Sequence, residues 1–336
     1  MNSSRTYSFM HPTEALSAST GTKLEDAPFR FAFMQNGRSK AGKVVCELQL
    51  SRADGNLLAF AERAEGQGRT DIEAGAQVLV SGVVCKHRSI QYLYVTSIRG
   101  VQDIDREWKL NLICRDMIAD LAAYRALREI IWQLDAPMRS VVCEVLSHDD
   151  IASGFFQAPS SVSGHHSVAG GNLRHAVEVA QLVMGLAENY GAEVDRDLAI
   201  AAAILHDVGK ALEYEAGGPN AWRMSLRGKL IGHKLSGYEY VASAVRACEI
   251  SQDRAVALLH CLSATKAPDY LGLRAPACLE AHIVSTADRL SGQAELFSRM
   301  RVPDSFLGKR HPHLSERPFY PAHLLTLSEQ PNGGKP

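Results

Sequence analysis

Nothing in these 336 residues repeats, and no stretch approaches the ~18 consecutive apolar residues that a membrane helix needs. The first twenty residues, MNSSRTYSFMHPTEALSAST, lack the apolar core of a secretory signal. Closely spaced cysteines are missing too. The seven present (Cys46, Cys85, Cys114, Cys143, Cys248, Cys261 and Cys278) never fall in a CxxC pair. A disulfide framework or a zinc–thiolate site is thereby excluded as the organising device. Charge of one sign is not in excess: 36 Lys and Arg meet 37 Asp and Glu, a formal net charge of -1. A global electrostatic attraction to nucleic acid is therefore absent, and any such case has to be local. Hydrophobic residues at 46% and charged residues at 22% leave an ordinary globular composition with enough apolar surface for a core. The expectation is a soluble, cytoplasmic protein with reduced thiols.

The pattern along the chain divides it. Residues 1–27 are polar and aperiodic and read as a flexible leader. Residues 28–102 read as short strands: Phe29–Met34, Lys43–Leu50, Leu57–Ala61 after the hairpin signal Asp54-Gly55, Gln77–Cys85 and Gln91–Ile98. Five short strands in so few residues fit a small closed barrel, OB-like or SH3-like. Residues 103–150 form a helical connector, with helices expected over Glu107–Leu121, Tyr124–Leu134 and from Pro137 to Leu146. Residues 151–300 continue as helices at Asn172–Tyr190, Asp197–Tyr214, Gly232–Ala247, Ser251–Leu262 and Cys278–Arg299. Residues 301–336 carry six prolines and read as an extended tail. The predicted fold class is thus multidomain, a small β-barrel followed by an all-helical domain.

One apolar helix, Ala201-Ala202-Ala203-Ile204-Leu205, runs straight into His206-Asp207-Val208-Gly209-Lys210. A charged Asp buried beside such a helix needs a partner, and imidazole nitrogen with carboxylate oxygen suits a divalent metal. A lone His-Asp pair is common by chance. Four further candidates share its setting, however, at helix starts or inside apolar stretches. They are His175, His233, His260 and Asp288, with gaps of 31, 27, 27 and 28 residues along the series His175, His206, His233, His260, Asp288. Each gap is about one helix plus a connection, so a bundle can aim one ligand per helix at a common point.

These residues resemble the HD superfamily of metal-dependent phosphohydrolases, in His175, the His206-Asp207 pair and Asp288. The stretches Phe156–Pro159, His165-His166, Gly170-Gly171, Arg174-His175, Ile204–Lys210 and Gly228–His233 make the chain similar to the YhaM-type 3′–5′ exoribonucleases. Those enzymes join an N-terminal OB-fold to an HD domain, and the resemblance spans roughly residues 29–300. It implies an intact four-ligand site for a divalent ion (Mn, Mg, Fe or Co). Two positions depart from the family pattern. Ser263-Ala264-Thr265 stands where the family carries Ser-His-His, and His260, one turn earlier, is the expected substitute. Ser291 stands where a second acidic residue usually follows the last Asp.

The expected roles follow. His175, His206, Asp207, His233, His260 and Asp288 are the metal ligands. Asp207 orients a metal-activated water, Lys210 stabilises developing negative charge, and His166 serves as a catalytic proton donor. His165 and Arg174 contact substrate. In the barrel, ten Lys or Arg oppose six Asp or Glu over residues 30–100, interleaved with Phe31, Phe33, Phe60, Tyr92 and Tyr94. Arg88 and Tyr92 are the substrate-binding candidates there, since basic grooves with stacking aromatics grip single strands. The expected activity is a 3′–5′ exonuclease on single-stranded RNA, with DNA as a second polymer. Two alternatives stay open: a phosphohydrolase of small nucleotides, and a degenerate HD domain that binds nucleic acid or a partner. No membrane partner is expected, and a homo-oligomer is one option for assembly.

Overall fold

The computed structural model describes residues 19–38, 44–53, 55–63, 72–102, 104, 106–218, 221–265 and 272–321. Most of the expected leader, the hairpin residue Asp54 and the end of the tail lie outside them. So does the side chain of Phe33. The chain forms two compact units. The first runs to residue 121 and includes 143–152. The second holds 122–142 and everything from 153 onward. The expected connector is thus divided between them.

The first unit is a closed barrel of five strands: β1 (Lys23–Arg38), β2 (Val44–Arg52), β3 (Gly55–Arg63), β4 (Gln77–His87) and β5 (Ile90–Gly100). Their order around the barrel is β1-β2-β3-β5-β4. β1 closes it by pairing antiparallel with β4 over its first half and with β2 over its second. The parallel contact of β3 with β5, at Ala59↔Leu93 and Phe60↔Tyr94, completes the OB-fold order. Alternation does the folding work: Leu48 and Leu50, Leu57 and Ala59, and Val78 and Val80 point inward and are 5% exposed or less. β1 starts at Lys23, inside the stretch read as leader, because Lys23 and Leu24 pair with Val83 and Gly82. The helix expected over Glu107–Leu121 is corrected. It is a four-residue helix α1 (Arg106–Lys109) followed by 3₁₀ turns at Leu110–Leu112 and Arg115–Met117. Ile113 and Cys114 take extended backbone and break it.

In chain order the helices that follow are α2 (Leu121–Trp132), α3 (Ala136–Leu146), α4 (Asp149–Phe155), α5 (Gly171–Tyr190), α6 (Arg196–Leu205), α7 (Lys210–Glu213), α8 (Leu226–Leu230), α9 (Gly232–Ala247), α10 (Gln252–Ser263) and α11 (Leu279–Arg299). A short hairpin, β6 (Tyr214–Gly218) with β7 (Ala221–Met224), sits between α7 and α8. Neither strand is announced by the sequence pattern. In the second unit α6 is the central helix. Asp195 caps it by accepting from the Leu198 amide, and Leu198 through Leu205 are all 2% exposed or less. A helix buried all round has no solvent side on which to place charge. Arg254 of α10 ties the helix start in place, with its guanidinium 2.7 Å from both Asp195 and Asp135.

The expected single helix Asp197–Tyr214 breaks into α6 and α7 at His206–Gly209. A Cβ on Gly209 would lie 2.0 Å from the His233 carbonyl oxygen and 2.5 Å from the Gly237 amide nitrogen. The turn and α9 therefore meet backbone to backbone. Part of the expected tail is also ordered against α11. The Gly308 amide donates to Pro318, Lys309 to Met300, and Tyr320 Oη to the Phe297 carbonyl. No helix among the described residues is long and apolar enough to cross a membrane.

Candidate metal centre

His175, on the second turn of α5, His206 and Asp207, at the end of α6, and Asp288, in the middle of α11, converge. One donor atom from each lies within 4.8 Å of all the others. His175 Nε2 is 3.3 Å from His206 Nε2 and 3.1 Å from Asp288 Oδ1. Asp207 Oδ2 is 3.3 Å from His206 Nε2 and 3.7 Å from His175 Nε2. Both histidines and Asp207 are buried, and Asp288 forms the more open side.

Backbone and side-chain partners fix both ring orientations. His206 Nδ1 donates to the Ala203 carbonyl at 2.7 Å, which turns Nε2 inward. His175 Nδ1 lies 3.1 Å from Ser291 Oγ, and Ser291 Oγ donates to Glu178 Oε2 at 2.9 Å. The serine hydroxyl has its proton committed to Glu178, so it accepts from His175 Nδ1–H. His175 Nε2 then carries its lone pair toward the cluster.

The charges agree with this geometry. Burial alone would lower the His206 pKa, but the Asp207 and Asp288 carboxylates raise it to about 9. His175 is pushed down, by burial first and then by His206, against the pull of Asp288. Asp207 and Asp288 are both held below the usual carboxylate range despite burial. Lys210 and His206 act on Asp207, and His175 and His206 on Asp288. Two inward imidazole nitrogens between two carboxylates form a donor set that a divalent cation satisfies and that neutral groups do not. The residues present fit a metal.

Other predicted residues surround this set. Lys210 Nζ sits 2.6 Å from Asp207 Oδ2 and donates to Ser160 Oγ at 3.0 Å. Ser160 Oγ is in turn 3.1 Å from His165 Nε2. Burial and the neighbouring His175 and Lys210 push the His165 pKa down to about 4, so this ring is neutral at pH 7. His233 lies beside the cluster and outside the four. Its Nε2 is 3.4 Å from Asp207 Oδ1 and its Nδ1 is 2.6 Å from Glu213 Oε2. Arg174 is exposed on α5.

One expectation is corrected. His260 is not brought to the cluster: its Nε2 accepts from the Ala277 amide at 2.9 Å, near the start of α11. It sits at the far end of α10, so one-helix spacing placed it on the right helix and at the wrong height. His166 is 4% exposed, with Nε2 3.1 Å from Glu178 Oε2. Its φ of 45° lies in the left-handed region, where the loop turns toward Gly170-Gly171.

Sequence reasoning missed Ser291, Glu178, Glu213 and Ser160. The first three had a signal. Glu178 follows His175 by three residues, Ser291 follows Asp288 by three, and Glu213 follows Lys210 by three, so each shares a helix face with a site residue.

The barrel presents an apolar cleft of about 370 Å³ lined by Leu58, Phe60, Ile90, Tyr92 and Tyr94. Phe60 is only half-buried and meets Tyr92 edge to face at 5.3 Å. Tyr92 and Tyr94 thus lie on the outer face of the barrel. Arg88 occupies the two-residue turn between β4 and β5 with φ 54°.

A barrel of OB order joined to a helical unit with an inward His, His-Asp, Asp set defines a hydrolytic enzyme of the HD class. The HD domain family matches residues 172–293. The 3′–5′ exoribonuclease YhaM of Bacillus licheniformis is 30% identical over 287 residues, 84% of this chain and 90% of that protein. That of Halalkalibacterium halodurans is 24% identical over 283 residues, 83% of this chain and 87% of its own. The chain belongs to the YhaM-type 3′–5′ exoribonuclease family. Among solved structures, the second OB-fold domain of replication protein A from Methanococcus maripaludis covers 25% of this chain and 86% of its own length. Its identity is 15% and its TM-score 0.20. The OB assignment rests on the strand order rather than on that likeness.

Proposed function

We propose that this chain is a metal-dependent 3′–5′ exonuclease of single-stranded RNA, with single-stranded DNA as a second substrate. The observation that carries the reading is the facing of His175, His206, Asp207 and Asp288 within 4.8 Å of one another. The family relation supports RNA as the polymer and attack from the 3′ end. His175, His206, Asp207 and Asp288 would hold the ion. When bound, a divalent cation supplies a water acidified toward neutrality and offsets negative charge on the phosphate.

The remaining steps belong to the chain's own residues. Asp207 has Oδ2 toward the histidines and Lys210, and Oδ1 toward His233 and Lys234, so it holds an ammonium at each oxygen and would orient the attacking water from the Oδ2 side. Lys210 and Lys234 put two positive charges beside the phosphate, which favours the charge that grows in the transition state. His165, neutral and hydrogen-bonded to Ser160, contacts substrate. The Tyr92 and Tyr94 face of the barrel, with Arg88 at its turn, grips the strand by stacking and charge.

The test uses single-stranded RNA labelled at its 5′ end, supplied with manganese. Shortening from the 3′ end is expected, and a 3′-terminal block should stop it. His206→Ala and Asp207→Ala should each abolish shortening while the folded signal persists. Undiminished activity in a double variant shown to contain no metal would remove the assignment.

A further inference from the structure

A cavity of about 460 Å³ lies in the helical unit, lined by Lys234, Leu235, Tyr238, Leu262, Ala264 and Leu273. That volume is in the range of small-molecule sites. One wall is shared with the metal centre. Lys234 lines the cavity, and its Nζ is 3.4 Å from Asp207 Oδ1 and 3.4 Å from the His206 carbonyl. The other end is mostly apolar, with Ser263 and Thr265 also in its lining. Leu235 and Tyr238 lie on α9 one and four residues after Lys234, and Leu262 and Leu273 face them. Ala264 is small and leaves the space open. The Thr265 amide donates to the Arg274 carbonyl at 3.0 Å and pins the two sides of this wall together. The cavity is thus cationic where it meets the metal centre and mostly apolar, with one aromatic ring, away from it.

We propose that this cavity seats the nucleoside of the substrate's 3′-terminal nucleotide, with the base against Tyr238 and the attached phosphate beside Lys234. The inference rests on the nuclease reading and names the subsite that reading leaves open. A nucleotide carries an anion at one end and a flat apolar-faced ring at the other. The cavity has the same polarity in the same order. Lys234 is half in solvent, with its side chain 55% exposed, so it can swing from Asp207 to an arriving phosphate. Stacking on one aromatic ring is tolerant of base identity, as removal of successive nucleotides requires.

The experiment is calorimetric binding of a nucleoside 5′-monophosphate and of ribose 5-phosphate to the manganese-loaded full chain. The monophosphate should bind about tenfold or more tightly than the base-less sugar, in line with one stacked base. Tyr238→Ala should erase that difference, and Tyr238→Phe should keep it. Ala264→Phe, which fills the cavity, should weaken only the nucleotide, with metal content and melting temperature unchanged. KM for RNA should rise about tenfold in Tyr238→Ala, and should match wild type on an RNA whose last residue is abasic.

Equal affinity of the wild type for both ligands would overturn the proposal. So would a loss in Tyr238→Ala that falls equally on both. RNA shortening combined with base-blind binding would sink the cavity alone and leave the nuclease reading intact. Base-dependent binding in a protein that leaves RNA untouched would do the reverse.

Discussion

Ser291 offers the sharpest perturbation, because one hydroxyl stands between a metal ligand and the bulk of the protein. Its Oγ is 3.1 Å from His175 Nδ1 and 2.9 Å from Glu178 Oε2, with His175 fully buried. In Ser291→Ala the imidazole keeps its position in α5 but loses the acceptor for its Nδ1 proton. The proton can then move to Nε2, and that tautomer has no lone pair for a cation. Loss of such an outer partner lowers metal affinity about 10–100-fold, which is about 1.4–2.7 kcal/mol. An unpaired buried N–H also costs the fold about 1–3 kcal/mol, with or without metal. Manganese affinity measured by chelator competition separates the two, since the second cost cancels between apo and loaded states. Ser291→Thr retains the hydroxyl and should bind within about threefold of wild type, allowing for the extra methyl group. Ser291→Ala binding manganese as tightly as wild type would refute the orientation argument. A ¹⁵N spectrum showing His175 in the same tautomer would do so as well.

Metal affinity should depend on pH with a definite sign. The raised pKa of His206, about 9 in the metal-free chain, means that its ring carries a proton at pH 7 that the cation must displace. Affinity should therefore climb about tenfold per pH unit up to about pH 9 and then level off; binding heats that do not vary with the buffer's ionisation enthalpy at pH 7.5 would contradict this. Tyr92→Ala should weaken single-stranded RNA binding by about 1–3 kcal/mol. The melting temperature should hardly change, because the ring lies on the outer face; retention of full affinity on a filter-binding assay would remove the barrel face from the binding site. Gly209→Ala forces a methyl onto the His233 carbonyl and should cost about 1–3 kcal/mol in denaturant unfolding. It should also lower activity more than stability alone explains, and an unchanged midpoint would mean that α9 yields freely.

The four-residue set was legible because its residues lie in helices whose apolar period is strong and whose lengths match the gaps between them. His260 shows the limit of that logic. Spacing fixes the helix on which a residue lies, but not its height along the axis or the face it occupies. The break at His206–Gly209 was invisible for a related reason. Its cause is the backbone of α9, more than twenty residues further on. The β6–β7 hairpin escaped because Glu215 to Gly218 has too little apolar alternation to announce a strand. The early start of β1 escaped because its first residues are polar, and their strand state comes from β4. Ser291 looked like a departure from a pattern, and its sense emerges only with Glu178 across the helix packing.

Gly209 and Gly237 bring the His206–Asp207 turn and α9 into backbone contact, with the Val208 side chain packed beside them, so little is free there to absorb a displacement. A tilt of α9 is handed directly to Asp207. Whatever settles against the inner face of that helix is thus mechanically connected to the ligands. The connection runs largely through main-chain atoms of Gly209, His233 and Gly237.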